Sequence, residues 1–260
     1  MDFDVKAFGE VGEEDTTGVC LWSAALILGQ WILDMPTENF TGKTVCELGA
    51  GCGLPGLVVH RCTAAHRVVL TDCFPSTLDN LHQNAELNMV EACAECGVTS
   101  IDLLLCSSCQ TRSYCSPACQ KAAWNGHKVE CKAWAALHSD PADLAVQSLD
   151  WANVASFKET FDIVLGSDLV YHESIVQILV QALCTLVKPG GVFYHVASQQ
   201  RDSLVEFKEA METVGFYCEM SMVPEAYKRN PIQERSVDFF QLHFSEMEDV
   251  YCLYTFTKLQ

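Results

Sequence analysis

Short apolar runs alternate along the chain with longer stretches whose apolar residues recur at helical spacing, the pattern of an α/β fold with a largely parallel sheet. Thr16–Leu33 reads as a helix, with Leu21, Ala25, Leu28 and Ile32 on one face. Thr44–Leu48 is a strand running into Gly49-Ala50-Gly51-Cys52-Gly53, with Pro55 and Gly56 opening the next helix. His66–Thr71 is a strand ending at Asp72, and Pro75–Asn88 a helix. Leu144–Leu149 and the buried run Phe161–Tyr171 are strands. Ser174–Val187 is a helix stopped by the turn residues that follow, and Val192–Val196 a strand. A helix over Leu204–Val214 and strands over Phe216–Met222 and Val250–Lys258 complete the pattern. The loop Glu225–Arg235 reads as a mobile lip facing a substrate.

One interval breaks this rhythm. More than fifty residues separate Asn88 from Leu144, where an α/β connection needs about 2 to 6. A separate module is inserted there, so the domains read as 1–90, 91–134 and 135–260, the first and last forming one host. A chain of 260 residues accommodates such a host and a small module. The formal charge of −18 and pI near 4.7 argue against nucleic acid or an anionic membrane as partner. The longest apolar stretch, Val19–Leu33, is fifteen residues interrupted by Ser23 and Gln30, too short to span a bilayer. The acidic first residues do not resemble a signal peptide, and the expectation is a cytoplasmic protein, also compatible with the nucleus.

Fifteen cysteines in a reducing compartment point to metal rather than disulfides. Seven of them fall between Cys93 and Cys131, and the other eight read as small buried hydrophobes. Cys93 with Cys96, Cys106 with Cys109, Cys115 with Cys119, and His127 with Cys131 make four ligand pairs, enough for two tetrahedral Zn2+ sites. Spacing does not choose between sequential and interleaved pairing. The stretch resembles the MYND zinc finger at all eight positions, at Tyr114 and at Trp124. That resemblance implies that Cys93, Cys96, Cys115 and Cys119 hold one ion and Cys106, Cys109, His127 and Cys131 the other. It also implies a protein-binding module, often for proline-containing peptides. With every position filled by protein there is no open place for a catalytic water, so the metal is structural.

The glycine turn after the first strand allows close backbone approach to a ligand, and Asp72, at the end of the second strand, is placed to accept ribose hydroxyls. Together they indicate an adenosine-containing cofactor. Glu47 before the turn and the absence of Lys or Arg within it suit a sulfonium cation better than a pyrophosphate. The host resembles the seven-β-strand, family-16 protein methyltransferases, many of which modify lysine, through TGVCLWSAALILGQWI, VCELGAGCGLPGL, Asp72, Leu149–Trp151 and Ser167–Tyr171. The resemblance implies a doubly wound, seven-stranded Rossmann-like sheet and S-adenosyl-L-methionine as cofactor. It implies that Trp22, Gly49, Ala50, Gly51, Asp72, Trp151 and Ser167 bind that cofactor. Ser167 stands where the family often has Ala. It also implies that Asp168 and Tyr171 form an Asp-x-x-Tyr signature at the mouth of the target channel, Asp168 orienting an incoming lysine. On the residues alone Trp22 and Trp151 are equally readable as core aromatics and Tyr171 as a strand cap. His172 reads as exposed rather than as a base. The function expected is methylation of lysine in a protein with a basic segment. A non-catalytic MYND interaction protein and a methyltransferase for another acceptor are the alternatives. An NAD-dependent oxidoreductase is disfavoured by the lack of basic residues for phosphates.

Overall fold

The computed structural model describes residues 17–89, 93–98, 103–109, 112–137, 143–201, 203–231 and 236–259. The host is a seven-stranded sheet flanked by helices. Its strands are β1 (Thr44–Glu47), β2 (Arg67–Asp72), β5 (Asp143–Ser148), β6 (Phe161–Ser167), β7 (Val187–Ser198), β8 (Phe216–Met222) and β9 (Tyr251–Lys258), in the order β5-β2-β1-β6-β7-β9-β8. Strands β5 to β7 are parallel, and β9 runs antiparallel between β7 and β8. Strand β3 (Leu104–Leu105) pairs antiparallel with β4 (Ser113–Tyr114) in the inserted module, which continues into helix α4 (Pro117–Leu137). The first expected domain boundary lies outside the described residues, and α4 continues through the second.

The central strands are apolar on both faces, so both faces must be covered. Helices α1 (Ser23–Asp34), α2 (Leu54–Cys62), α3 (Pro75–Met89) and α7 (Val237–His243) contribute Ile27, Leu28, Leu57, Leu81 and Phe240 to one core layer. Helices α5 (Val176–Leu186) and α6 (Leu204–Thr213) contribute Leu179, Leu183, Phe207 and Met211 to the other.

Several expected elements change at their ends. Instead of a helix from Thr16, a short 3-10 turn over Thr17–Val19 precedes α1, whose first residue is Ser23. A Cβ on Gly18 would fall 2.2 Å from the Thr77 hydroxyl oxygen, so the chain is pressed against α3 there and turns before α1 begins. Strand β6 stops at Ser167 rather than Tyr171, because Asp168 adopts a left-handed backbone (φ 54°). Strand β7 begins at Val187 and absorbs the expected Lys188–Gly191 stop as a register irregularity opposite Phe161–Ile163. The expected lip lies between β8 and β9, and its first part is anchored. Glu225–Lys228 forms a 3-10 turn with Tyr227 buried, and Lys228 Nζ donates to the Asp249 carbonyl at 3.0 Å. Residues 232–235 of that loop lie outside the described residues. Of the eight dispersed cysteines only Cys46 and Cys252 are buried; Cys20, Cys62 and Cys73 are exposed and Cys52, Cys184 and Cys218 lie between. Those six correct the reading of all eight as core residues.

Candidate active site and metal centres

Parallel register brings the carboxyl ends of β5, β2, β1 and β6 to one edge, where open α/β sheets place ligands. The loop after β1 is tied to both neighbours, Leu48 N–H donating to the Leu165 carbonyl at 3.0 Å and Ala50 N–H to that of Thr71 at 2.9 Å. Gly49 and Gly51 both have φ of 54°, a conformation that side chains resist. A methyl group on Gly51 would lie 3.2 Å from the Gly18 carbonyl, so the segment ahead of α1 passes directly against the loop. One on Gly49 would lie 3.1 Å from Leu169 and 3.3 Å from Trp151. Trp151 opens a 3-10 turn capped by Asp150, whose carboxylate accepts from Ala152 N–H at 2.9 Å. Asp72 accepts from Gly51 N–H at 3.1 Å and from Cys73 N–H at 2.8 Å. Gly49, Ala50, Gly51, Asp72 and Trp151 are thus brought together.

Glu47 faces the other way. It is buried, and its Oε2 accepts from Gly56 N–H at 2.8 Å in the first turn of α2. Burial, above all, pushes its carboxyl up to about 8. It braces the helix that follows the loop instead of facing a cation.

At the end of β6, Ser167 pairs with Val196 of β7, and Asp168 turns out of the strand with its N–H donating to the Val196 carbonyl at 2.8 Å. Its carboxylate is gripped at two points by Arg201, Nε reaching Oδ1 at 3.0 Å and Nη2 reaching Oδ2. The Asp168 side chain is only 9% exposed against 33% for Arg201, so the guanidinium caps it toward solvent. The hydrogen bond to Asp168, chiefly, raises the Arg201 pKa further. Sequence reading left this carboxylate open and missed Arg201, whose only signal was a basic residue shortly after a strand. Tyr171 is half exposed beyond the turn. His172 is half-buried and caps the following turn, its Nδ1 accepting from Ser174 N–H at 3.2 Å, so it works as a cap.

Trp22, 42% exposed, stands at the start of α1 and lines a cavity of about 200 Å³ together with Ser23, His243, Ser245 and Glu246. The Glu246 pKa is raised by burial and then by the charge of Asp168, so this cavity lies within electrostatic reach of the Asp168–Arg201 pair. Glu246 belongs to a 3-10 turn, Ser245–Glu248, that no periodicity announced.

The eight metal ligands gather in the interleaved arrangement. Cys93, Cys96, Cys115 and Cys119 form one cluster and Cys106, Cys109, His127 and Cys131 the other, each with its ligand atoms within 4.8 Å of one another. Neighbouring sulfurs are 3.5 to 3.7 Å apart and Cys109 Sγ is 3.4 Å from His127 Nε2. A tetrahedron of about 2.3 Å Zn–S bonds has edges of about 3.8 Å, so the donor sets fit zinc. Backbone N–H groups, that of Cys115 first, hold the Cys93 thiol down at about 6, which favours the thiolate. The second cluster is wholly buried, with Tyr114 buried and Trp124 edge-on to His127 at 5.9 Å.

Two family profiles match this chain: the lysine methyltransferase family over residues 4–104 and 130–214, and the MYND finger over 93–131. The chain belongs to the lysine methyltransferase family. Among relatives, mouse protein-lysine N-methyltransferase EEF2KMT is 25% identical over 229 residues, covering 85% of this chain and 56% of that protein. Arabidopsis thaliana calmodulin-lysine N-methyltransferase is 25% identical over 208 residues, covering 78% and 53%. The chain therefore spans about half the length of these relatives. Among solved structures, a chain of the Haloferax volcanii complex between the Trm112 methyltransferase activator and a methyltransferase shares the fold at a TM-score of 0.52 and 14% identity, covering 91% of this chain and 90% of that one. The glycine loop, Asp72 and Trp151 of this family member fit the family's cofactor: a close backbone cradle, a carboxylate for a diol, and no basic residue for phosphates.

Proposed function

We propose that the chain transfers a methyl group from S-adenosyl-L-methionine to lysine side chains of a protein. The reading is carried by one juxtaposition: the glycine loop with Asp72, and the Asp168–Tyr171 turn, leave adjacent strands β1, β2 and β6 at the same sheet edge. S-adenosyl-L-methionine supplies, when bound, a methyl group already activated on a sulfonium centre. The chain then has to position the acceptor and help it lose a proton. Asp72 would accept the ribose hydroxyls, the loop backbone and Trp151 would hold the remainder, and Trp22 and Ser167 would complete the site. Asp168 keeps lone pairs beyond the two taken by Arg201, and with these it orients the ammonium of the incoming lysine, which sheds its proton to solvent. Tyr171 shapes the entrance.

The net charge of −18 favours a substrate with a basic segment. The finger serves as a recruiting module, and a hollow of about 260 Å³ between Pro117, Gln120, Lys121 and Trp124 suits a proline-containing peptide. Incubating the full chain with isotope-labelled donor and cell lysate, followed by mass spectrometry, is expected to reveal methyl-lysine in a protein. Donor binding without any transfer would reveal a non-catalytic interaction protein, and label confined to small metabolites a different acceptor.

A further inference from the structure

Asp168 is the one non-glycine residue with a left-handed backbone among the described residues, and its turn is held from β7 by two successive acceptors. Asp168 N–H donates to the Val196 carbonyl at 2.8 Å. Leu169 N–H donates to the ring nitrogen Nε2 of His195 at 3.4 Å. His195 is fully buried, stacked on Phe193 at 5.4 Å and flanked by Phe207 and Tyr254. Burial drives its pKa down to about 3, so it stays neutral at ordinary pH. A neutral imidazole that accepts at Nε2 carries its proton on Nδ1, and Nδ1 has no hydrogen-bond partner among the described residues. That orphaned donor costs stability, and an apolar side chain in the same aromatic cage would exchange it for an orphaned Leu169 N–H. What the histidine contributes to this apolar cage is therefore the acceptor at Nε2.

What it holds matters twice over. Leu169 is buried, its side chain filling the space beside both Gly49 and Gly166. The same turn aims Asp168 at Arg201. We infer that His195 is a positioning residue, whose Nε2 holds the Asp168–Leu169 turn so that the carboxylate faces the target side while Leu169 supports the glycine loop. This deepens the proposed methyl transfer and rests on it for its kinetic consequence.

The test compares His195→Leu, which removes the acceptor, with His195→Gln, which restores one at similar reach, in the full chain. In His195→Leu one orphaned donor replaces another, so the thermal midpoint is expected to stay close to wild type while the Leu169 amide loses hydrogen-exchange protection. S-adenosylhomocysteine affinity by calorimetry should change less than about threefold. The kcat should fall on the order of tenfold to a hundredfold, as small misplacements of reacting groups do. His195→Gln should recover both protection and kcat. Full kcat in His195→Leu overturns the assignment, as does joint loss of midpoint and affinity, or a folded Gln variant that recovers neither. A wild-type chain that binds donor and transfers nothing sinks the proposed function instead, and the Leu169 exchange comparison then decides the positioning role by itself.

Discussion

Asp168 combines a strained backbone, a nearly covered carboxylate and a two-point partner, Arg201. Replacing it by Asn removes one carboxylate oxygen while leaving Arg201, itself one-third exposed, able to reach water. Transfer is therefore expected to fall about 100-fold or more with the donor Kd nearly unchanged, measured by single-turnover kinetics beside calorimetry. Loss of donor binding with unfolding would make Asp168 structural. Glu47 gives a separate, pH-dependent signature. Its folded pKa, about 8, lies above the ordinary value, so the folded state holds this proton more tightly than the unfolded state. Its contribution to stability is present at low pH and is lost as pH rises through the folded value. Glu47→Gln cannot ionise and can still accept from Gly56 N–H. The thermal midpoint of the variant should pull ahead of wild type steadily from about pH 5 to about pH 9. A gap that does not change with pH would show that Glu47 does not titrate there.

Among the elements, the loop after β1 and the segment before α1 depend on each other. Gly51 needs φ of 54° and faces the Gly18 carbonyl, and Gly18 in turn has Thr77 against it. Gly51→Ala adds roughly 1–2 kcal/mol of backbone strain and pushes the covering segment away. The expected outcome is a lower denaturation midpoint together with weaker donor binding. Unchanged affinity in a destabilised variant would mean that this loop braces the sheet without touching the cofactor. Helix α1 shows why element ends are hard to read: its apolar periodicity extends back through Leu21, yet packing of Gly18 against α3 starts the helix only at Ser23.

Considered as a whole, the molecule couples a sheet with a large apolar core to a module whose described residues form only a small one, Tyr114 being the largest fully buried side chain among them. Metal binding is therefore expected to supply the folding free energy of the module. Elemental analysis should find two zinc ions per chain. Chelation should remove the finger's ordered signals in NMR spectra while changing donor affinity by less than about threefold. Cys106→Ser should lose one ion and keep the other, because the two clusters share no ligand. Parallel loss of zinc and donor affinity would instead make the finger a folding support for the host.

The sequence by itself determined the α/β alternation, the inserted module, its eight ligands, and the glycine turn with Asp72, because each is written in local spacing that a strand, turn or short ligand pair must obey. The resemblance to the MYND finger implied the interleaved clusters that spacing left open, and the structure has them. Only the tertiary structure decided which distant side chains meet. Arg201 reaches Asp168 from 33 positions away, His195 supports Leu169 from 26, and Gly18 covers Gly51. It also turned Glu47 inward and left three of the dispersed cysteines exposed. The reason is physical: periodicity specifies which face of an element is buried, whereas strand order and the packing of helix starts specify what that face encounters.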